Sequence, residues 1–395
     1  MKTVRLCFAI HTLLAFSAAA AAEDTPPKWI TEGPYVEVDS LSFELPIEVL
    51  ATKLLVEVEV GGAPRRFVFD TGSPSMMSTD LAAELKLDVI DQRKGRDAHG
   101  AVVETSIVQS DLTLDGTVLR KVPIFVADFP KPAKCLFDGV LGSEVLPLCA
   151  WQIDLPQSRL RCNSTLTKLD HVRSAKKLPL HGFGYPHAPI LDVRFTDKAR
   201  SKVLFDTGSP EYLAISPSDF NGAERSGGVS RTIPGTGSLG GSLGGRAPMK
   251  DQRLIQLKTL TIGNIRLGSV TGPLRESTPS LIGASILEHF VVTLDSRTAT
   301  AYFDQYRNGP FARSSYGLML DFDESALISL VWSGSPAEAA GLRVGQRVTM
   351  INAEPVSTSC NGICNAMRAM SEGNSVDLEW EGGSAKLTRQ IAISE

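Results

Sequence analysis

The hexapeptide Phe-Asp-Thr-Gly-Ser-Pro stands at positions 69–74 and returns unchanged at 205–210, although the surrounding sequence has drifted almost beyond recognition. More than six letters agree once the copies are aligned. Asp70 and Asp206 lie 136 positions apart, "VLG" (140–142) answers "LIG" (281–283), and "WQIDLPQSRLRC" answers "VTLDSRTATAYF" with Asp154 and Asp295 in matching places. Upstream of each hexapeptide, "LLVEVEVGGAPRRFVF" and "ILDVRFTDKARSKVLF" read as two short β-strands joined by a turn. The repeated unit is strand, turn, strand, Asp-Thr-Gly loop, further strands, an apolar-apolar-Gly segment and a closing hairpin. The chain is therefore expected to contain a duplicated β-rich domain, with Pro- and Gly-rich seams at "LPLHGFGYPHAP" and "YRNGPFARSSYG".

A duplicated loop can place two carboxyl groups face to face. Two acids at close range do not ionise together easily, so their proton affinities split, and one acts as a base while the other donates a proton. Such a pair can activate a water against an amide. The residues around Asp70 and Asp206 fit this use. Gly72 and Gly208 permit a tight turn and a close approach. Thr71 and Thr207 can hydrogen-bond across the axis, and the Ser73 and Ser209 hydroxyls are expected to donate to an ionised Asp and lower its pKa.

The two Asp-Thr-Gly-Ser motifs, each followed by an apolar-apolar-Gly segment, resemble the aspartic proteases over most of residues 40–305. In size and layout the units are similar to fused retropepsin-like domains of bacterial exported proteins. The resemblance implies a mainly β, bilobal pepsin/retropepsin-like fold, with lobes at 23–165 and 166–310. It also implies a polypeptide substrate in the cleft between them and hydrolysis by Asp70 and Asp206, without cofactor or metal. Pro74 and Pro210 depart from many relatives, and no tyrosine stands in the expected flaps, "RDAHGAVVE" and the glycine-rich "PGTGSLGGSLGGR". A peptide-binding scaffold that keeps the shape without turnover is the competing reading, and lobes pairing between chains a third; a monomer is expected.

Within the glycine-rich stretch, Gly235, Gly237 and Gly240 match a dinucleotide fingerprint, and Gly240, Ser242 and Gly244 a serine-hydrolase elbow. Neither has the strand before and helix after that those motifs need. His99, His171, His181, His187 and His289 show no ligand spacing and read as surface or packing residues. Asn163-Ser164-Thr165 is a glycosylation sequon if the source cell glycosylates.

The formal net charge of -4 and the lack of a Lys/Arg cluster exclude a phosphate-tracking surface, and nucleic acid with it. The first 22 residues, with Lys2 and Arg5 ahead of an apolar run and an alanine tract, read as a cleavable secretory signal. No later segment is long and apolar enough to span a bilayer, so a periplasmic or secreted protein is expected. Cys135, Cys149, Cys162, Cys360 and Cys364 remain, and export permits disulfides. The hairpin turning at Leu155-Pro156 places Cys149 opposite Cys162. Cys360 and Cys364 can join across one turn, and the odd count leaves one thiol over.

The last stretch breaks the repeat. "YGLML" followed by "SGSPAEAAGLRVGQRVTMINAEPV" resembles a PDZ domain, a small α+β module expected at 311–395 and separate from the lobes. In that family a loop offers backbone N–H groups to a peptide carboxylate, and the peptide adds as a strand. By correspondence Tyr316, Gly317, Leu318 and Met319 form the loop, with a peptide C-terminus as partner.

Overall fold

The segment "KLLVEVEV" alternates polar and apolar residues, and Lys53–Val60 is a strand whose apolar side faces the core. It turns at Gly61-Gly62, both with positive φ (62° and 78°), as a two-residue hairpin turn requires, and pairs with Ala63–Phe69. The computed structural model describes residues 26–182 and 184–391, so the signal expected at 1–22 lies outside the described residues. The described chain is mainly β.

Each copy of the repeat has the same wiring. Ala63–Phe69 runs parallel to Gly139–Leu141, and Arg200–Asp206 runs parallel to Leu281–Gly283. The hexapeptide thus leaves a strand whose neighbour is the apolar-apolar-Gly segment of its own copy. The glycines ending those segments are required by space: a Cβ on Gly142 would fall 2.2 Å from the Ser75 nitrogen, and one on Gly283 2.3 Å from the Glu211 carbonyl oxygen.

The copies meet through their closing hairpins. Ala150–Asp154 pairs with Arg159–Asn163, Phe290–Asp295 pairs with Thr300–Gln305, and the inner strands of the two hairpins pair antiparallel, Ile153 facing Val292. One continuous sheet therefore crosses the pseudo-two-fold axis, and one apolar core, with Trp151, Phe69, Phe205 and Phe303, runs beneath both lobes. The matching acids Asp154 and Asp295 are buried, each paired with an arginine (Arg159 and Arg297).

Cys149 and Cys162 form a disulfide. The register differs from the expectation, because the turn is longer than Leu155-Pro156: Trp151 faces Cys162, and Cys149 reaches across from just before its strand. The Cys360–Cys364 pairing is overturned. Cys360 bonds Cys135 of the first lobe, and Cys364 is the free thiol, its Sγ donating to the Cys135 carbonyl. Asn163 is buried and its amide donates to Ser42 Oγ at 3.0 Å, which leaves the sequon no accessible nitrogen.

The C-terminal module has its own core around Ile328, Leu342, Ile363 and Trp380, and it is joined to both lobes. Its strand Ala326–Trp332 pairs with Val229–Gly237, a strand of the second flap, so that a five-stranded sheet passes from the second lobe into the module. On the far side its helix Cys360–Ser371 packs on the first-lobe helix Lys131–Leu136, where the Cys135–Cys360 bond lies. The short helix Lys28–Thr31 covers the first lobe, with Trp29 edge-on to Phe125 and Tyr185.

Candidate active site

The two Asp-Thr-Gly loops interlock. The Thr71 N–H donates to Thr207 Oγ1 at 3.0 Å and the Thr207 N–H to Thr71 Oγ1 at 3.1 Å. Each threonine hydroxyl then donates to the opposite strand, Thr71 to the Phe205 carbonyl and Thr207 to the Phe69 carbonyl. Both threonines are fully buried, so these four bonds hold the loops together at a place that water does not reach.

This grip brings the carboxyls together. A Cβ on Gly72 would lie 2.4 Å from Asp206 Cγ, and one on Gly208 would lie 2.4 Å from Asp70 Cγ. Each carboxyl therefore sits over the glycine of the other loop, in space that any side chain there would fill. Asp70 Oδ1 accepts from the Gly72 N–H at 2.9 Å; Asp206 Oδ1 accepts from Gly208 N–H at 2.9 Å and Ser209 N–H at 3.1 Å. Asp70 and Asp206 each keep part of their surface exposed, while protein packs closely around the Asp206 carboxyl. Burial raises the Asp206 pKa to about 7, the facing Asp70 charge pushes the same way, and Lys53 and the Gly208 N–H pull it back.

The serine hydroxyls do not act as the sequence led one to expect. Ser73 Oγ is buried without a hydrogen-bond partner in the protein, and at Ser209 the bond to Asp206 comes from the backbone N–H. The Ser73 carbonyl is engaged instead by Ser143, through its N–H and Oγ, which ties the loop to the segment after "VLG".

Several groups near the pair carried no sequence signal. Lys53 Nζ donates to the Gly208 carbonyl at 2.5 Å, from a strand of the opposite lobe. Glu144 is buried, accepts from the Ser75 N–H, and is pushed up to about 7 by desolvation; its Oε2 has no partner. Beside it Tyr185 Oη is also unpartnered.

Two hairpins, one from each lobe, meet at their tips. The first, Asp91–Arg96 with Val102–Leu114, has its tip at 97–101, where Asp97 accepts from the His99 and Ala101 N–H groups. The second is the glycine-rich stretch, and it is ordered: Val229–Gly237 pairs with Lys250–Leu257, with a small hairpin at 241–246. The tips touch, since Asp97 Oδ2 also accepts from the Gly244 N–H at 3.0 Å. His99, expected to be a surface or packing residue, sits half-buried at the first tip. Among the described residues no His, Cys, Asp and Glu cluster could hold a metal ion.

Residues 56–145 match the aspartyl protease family model, and residues 327–381 match the PDZ domain model. The chain carries an aspartyl protease segment and a PDZ segment. The protease match covers Asp70 and the "VLG" segment but stops short of the second copy, whose equivalent wiring is seen in the strand pairing. Among solved structures, an aspartic proteinase from Irpex lacteus is similar, at 14% identity over 67% of this chain and 97% of that one, with a TM-score of 0.44. No curated protein matches the chain.

In the PDZ segment and the residues leading into it, Tyr316 is buried, Gly317 has φ +80°, and the Gly317 carbonyl accepts from the Trp332 N–H. A Cβ on Gly317 would fall 2.0 Å from Ser335 Cβ, which explains the glycine. Leu318–Phe322 is the outermost strand of its sheet, so one edge of it is unpaired, and Met319 is exposed. An edge of this kind can receive an added strand.

Proposed function

We propose that the protein is an aspartic-type endopeptidase in which Asp70 and Asp206 activate one water against a peptide bond. The lobes are 23–165 and 166–310, and the PDZ-like domain at 311–395 binds or positions polypeptide. The observation that carries this reading is the mutual seating of the two carboxyls, each over the other loop's glycine. A pair this close shares one proton, and the raised Asp206 is the partner suited to hold it; the titration belongs to the pair. Asp70 takes a proton from the water as its oxygen attacks the carbonyl carbon. Asp206 gives its proton to the carbonyl oxygen, and collapse of the tetrahedral intermediate returns a proton to the leaving nitrogen.

Thr71 and Thr207 hold the two loops in register, and Gly72, Gly208, Ser73 and Ser209 shape them. The loop Tyr316, Gly317, Leu318 and Met319 and the strand that follows receive the end of a peptide. Both carboxyls come from one chain, which supports a monomeric enzyme. The two disulfides fit an extracellular or periplasmic protein. The test is cleavage of a peptide library by the wild-type protein and by Asp70→Asn and Asp206→Asn. Loss of cleavage in both variants with folding intact supports the dyad. Cleavage that persists in either refutes it, and C-terminal peptide binding by a wild type that never cleaves favours a scaffold.

A further inference from the structure

Between the dyad and the flaps lies a cation that the protease chemistry does not use. Residues 274–280 connect the strand Val270–Pro273 to Leu281–Gly283, which runs beside the strand ending in Asp206. The connection is anchored at both ends: the Arg275 N–H donates to the Ile215 carbonyl at 2.9 Å, and Ser280 Oγ accepts from the Ser216 N–H at 2.8 Å. The Arg275 guanidinium folds back over it, Nη1 donating to the Pro279 carbonyl and Nη2 to Ser277 Oγ, both at 2.6 Å. Ser277 Oγ in turn donates to the Ala98 carbonyl at the first flap tip. Arg275 therefore lies on the connection that links the strand beside Asp206 to the first flap tip, within the field of the Asp206 carboxyl.

No ion pair answers its charge. Among the described residues its guanidinium bonds to the Pro279 carbonyl and Ser277 Oγ and to no carboxylate, and it is half-buried. The acids nearby are engaged: Glu276 pairs with Lys250, and Asp97 is taken up by three backbone N–H groups. Burial works against the Arg275 charge and only the field of Asp206 supports it. A partly desolvated cation held by neutral acceptors alone is costly, and a guanidinium still has donors in a planar fork that matches a carboxylate.

We infer that Arg275 is a specificity residue that selects a glutamate or aspartate side chain in the substrate segment lying beside Asp206. The inference rests on the protease reading for the place of the substrate. A purely structural arginine, bracing residues 275–280, is the rival role, and it predicts lost stability with no change in side-chain preference.

The experiment uses uncleavable peptides with a reduced bond at their centre, scanned with single Glu or Gln residues on either side, and measures binding to the full-length protein by calorimetry. At one position Glu is expected to bind about tenfold more tightly than Gln, as for a charge-assisted hydrogen-bonded pair. Arg275→Gln removes that difference, and Arg275→Glu favours Lys at the same position. Arg275→Lys keeps part of the preference and decides the matter if Arg275→Gln does not fold. The inference is overturned if no position prefers Glu, or if the preference survives in Arg275→Gln. Because binding needs no turnover, a protein that fails to cleave peptides but still discriminates Glu from Gln sinks the protease reading alone.

Discussion

Gly235 of the second flap lies flat against the Trp332 indole of the C-terminal module: a Cβ there would fall 2.4 Å from Trp332 Cε3. Two residues on, Gly237 leaves equally little room, its Cβ position 2.1 Å from the Ser329 carbonyl oxygen. The glycine-rich composition of this flap, which looked like looseness in the sequence, is what lets a neighbouring strand approach. Gly235→Val should push the strands apart and destabilise the protein by about 1–3 kcal/mol, as overpacking does. Hydrogen exchange is expected to show protected amides at 229–237 in the wild type and lost protection in the variant. Equal exchange in both would remove the pairing from the account.

The Cys135–Cys360 bond closes a loop across 225 residues and ties the first lobe to the module. Replacing both cysteines with serine should cost about 2–4 kcal/mol of stability, measured by denaturant unfolding. Peptide mapping without reduction should recover 135 linked to 360 and 149 linked to 162, with Cys364 alkylated. A 360–364 link would contradict the structure.

Removing a cross-axis hydroxyl leaves buried groups without partners. Thr207→Val deprives the Thr71 N–H of its acceptor and the Phe69 carbonyl of its donor, at about 1–3 kcal/mol for each orphaned group. The unfolding midpoint should fall and peptide cleavage with it. A variant with unchanged midpoint and rate would show that the grip does not hold the loops.

Asp206 and Glu144 make stability depend on pH in an unusual direction. Both are raised to about 7, from ordinary values of 3.8 and 4.5, so in that interval the folded protein binds more protons than the unfolded chain. Stability is therefore fully present below the unfolded values and falls as pH rises toward about 7, by on the order of a few kcal/mol. Glu144→Gln should flatten the curve and raise stability at pH 8. An identical pH profile for variant and wild type would exclude Glu144 as a source. Cleavage should also decline as pH rises through about 7, since the dyad then loses its shared proton.

What the sequence made legible was whatever repeats or lies close along the chain. Asp70 and Asp206, the threonines beside them, the paired apolar-apolar-Gly segments and the Cys149–Cys162 bridge all stand in matched or adjacent stretches. Lys53 and Arg275 did not announce themselves, because each comes near Asp206 from another strand or loop and stands in no motif. The Cys135–Cys360 bond and the sheet shared between flap and module depend on how distant segments dock. The serine hydroxyls misled for a local reason: at Ser209 the backbone N–H already donates to Asp206, and Ser73 Oγ is buried away from any partner.

The lobes share one repeat, yet their flaps are not held alike. The second flap is sewn on one side to a strand of the C-terminal module, and lifting it would break a row of main-chain bonds. Among the described residues the tip of the first flap is held by single hydrogen bonds, Asp97 to the Gly244 N–H, the Ala98 N–H to Ser242 and the Ala98 carbonyl to Ser277, and its base by the Trp29 indole on Asp91. The repeat is thus symmetric in how its strands pair and lopsided in what restrains its two flaps, so any rearrangement of the second flap has to be shared with the C-terminal module.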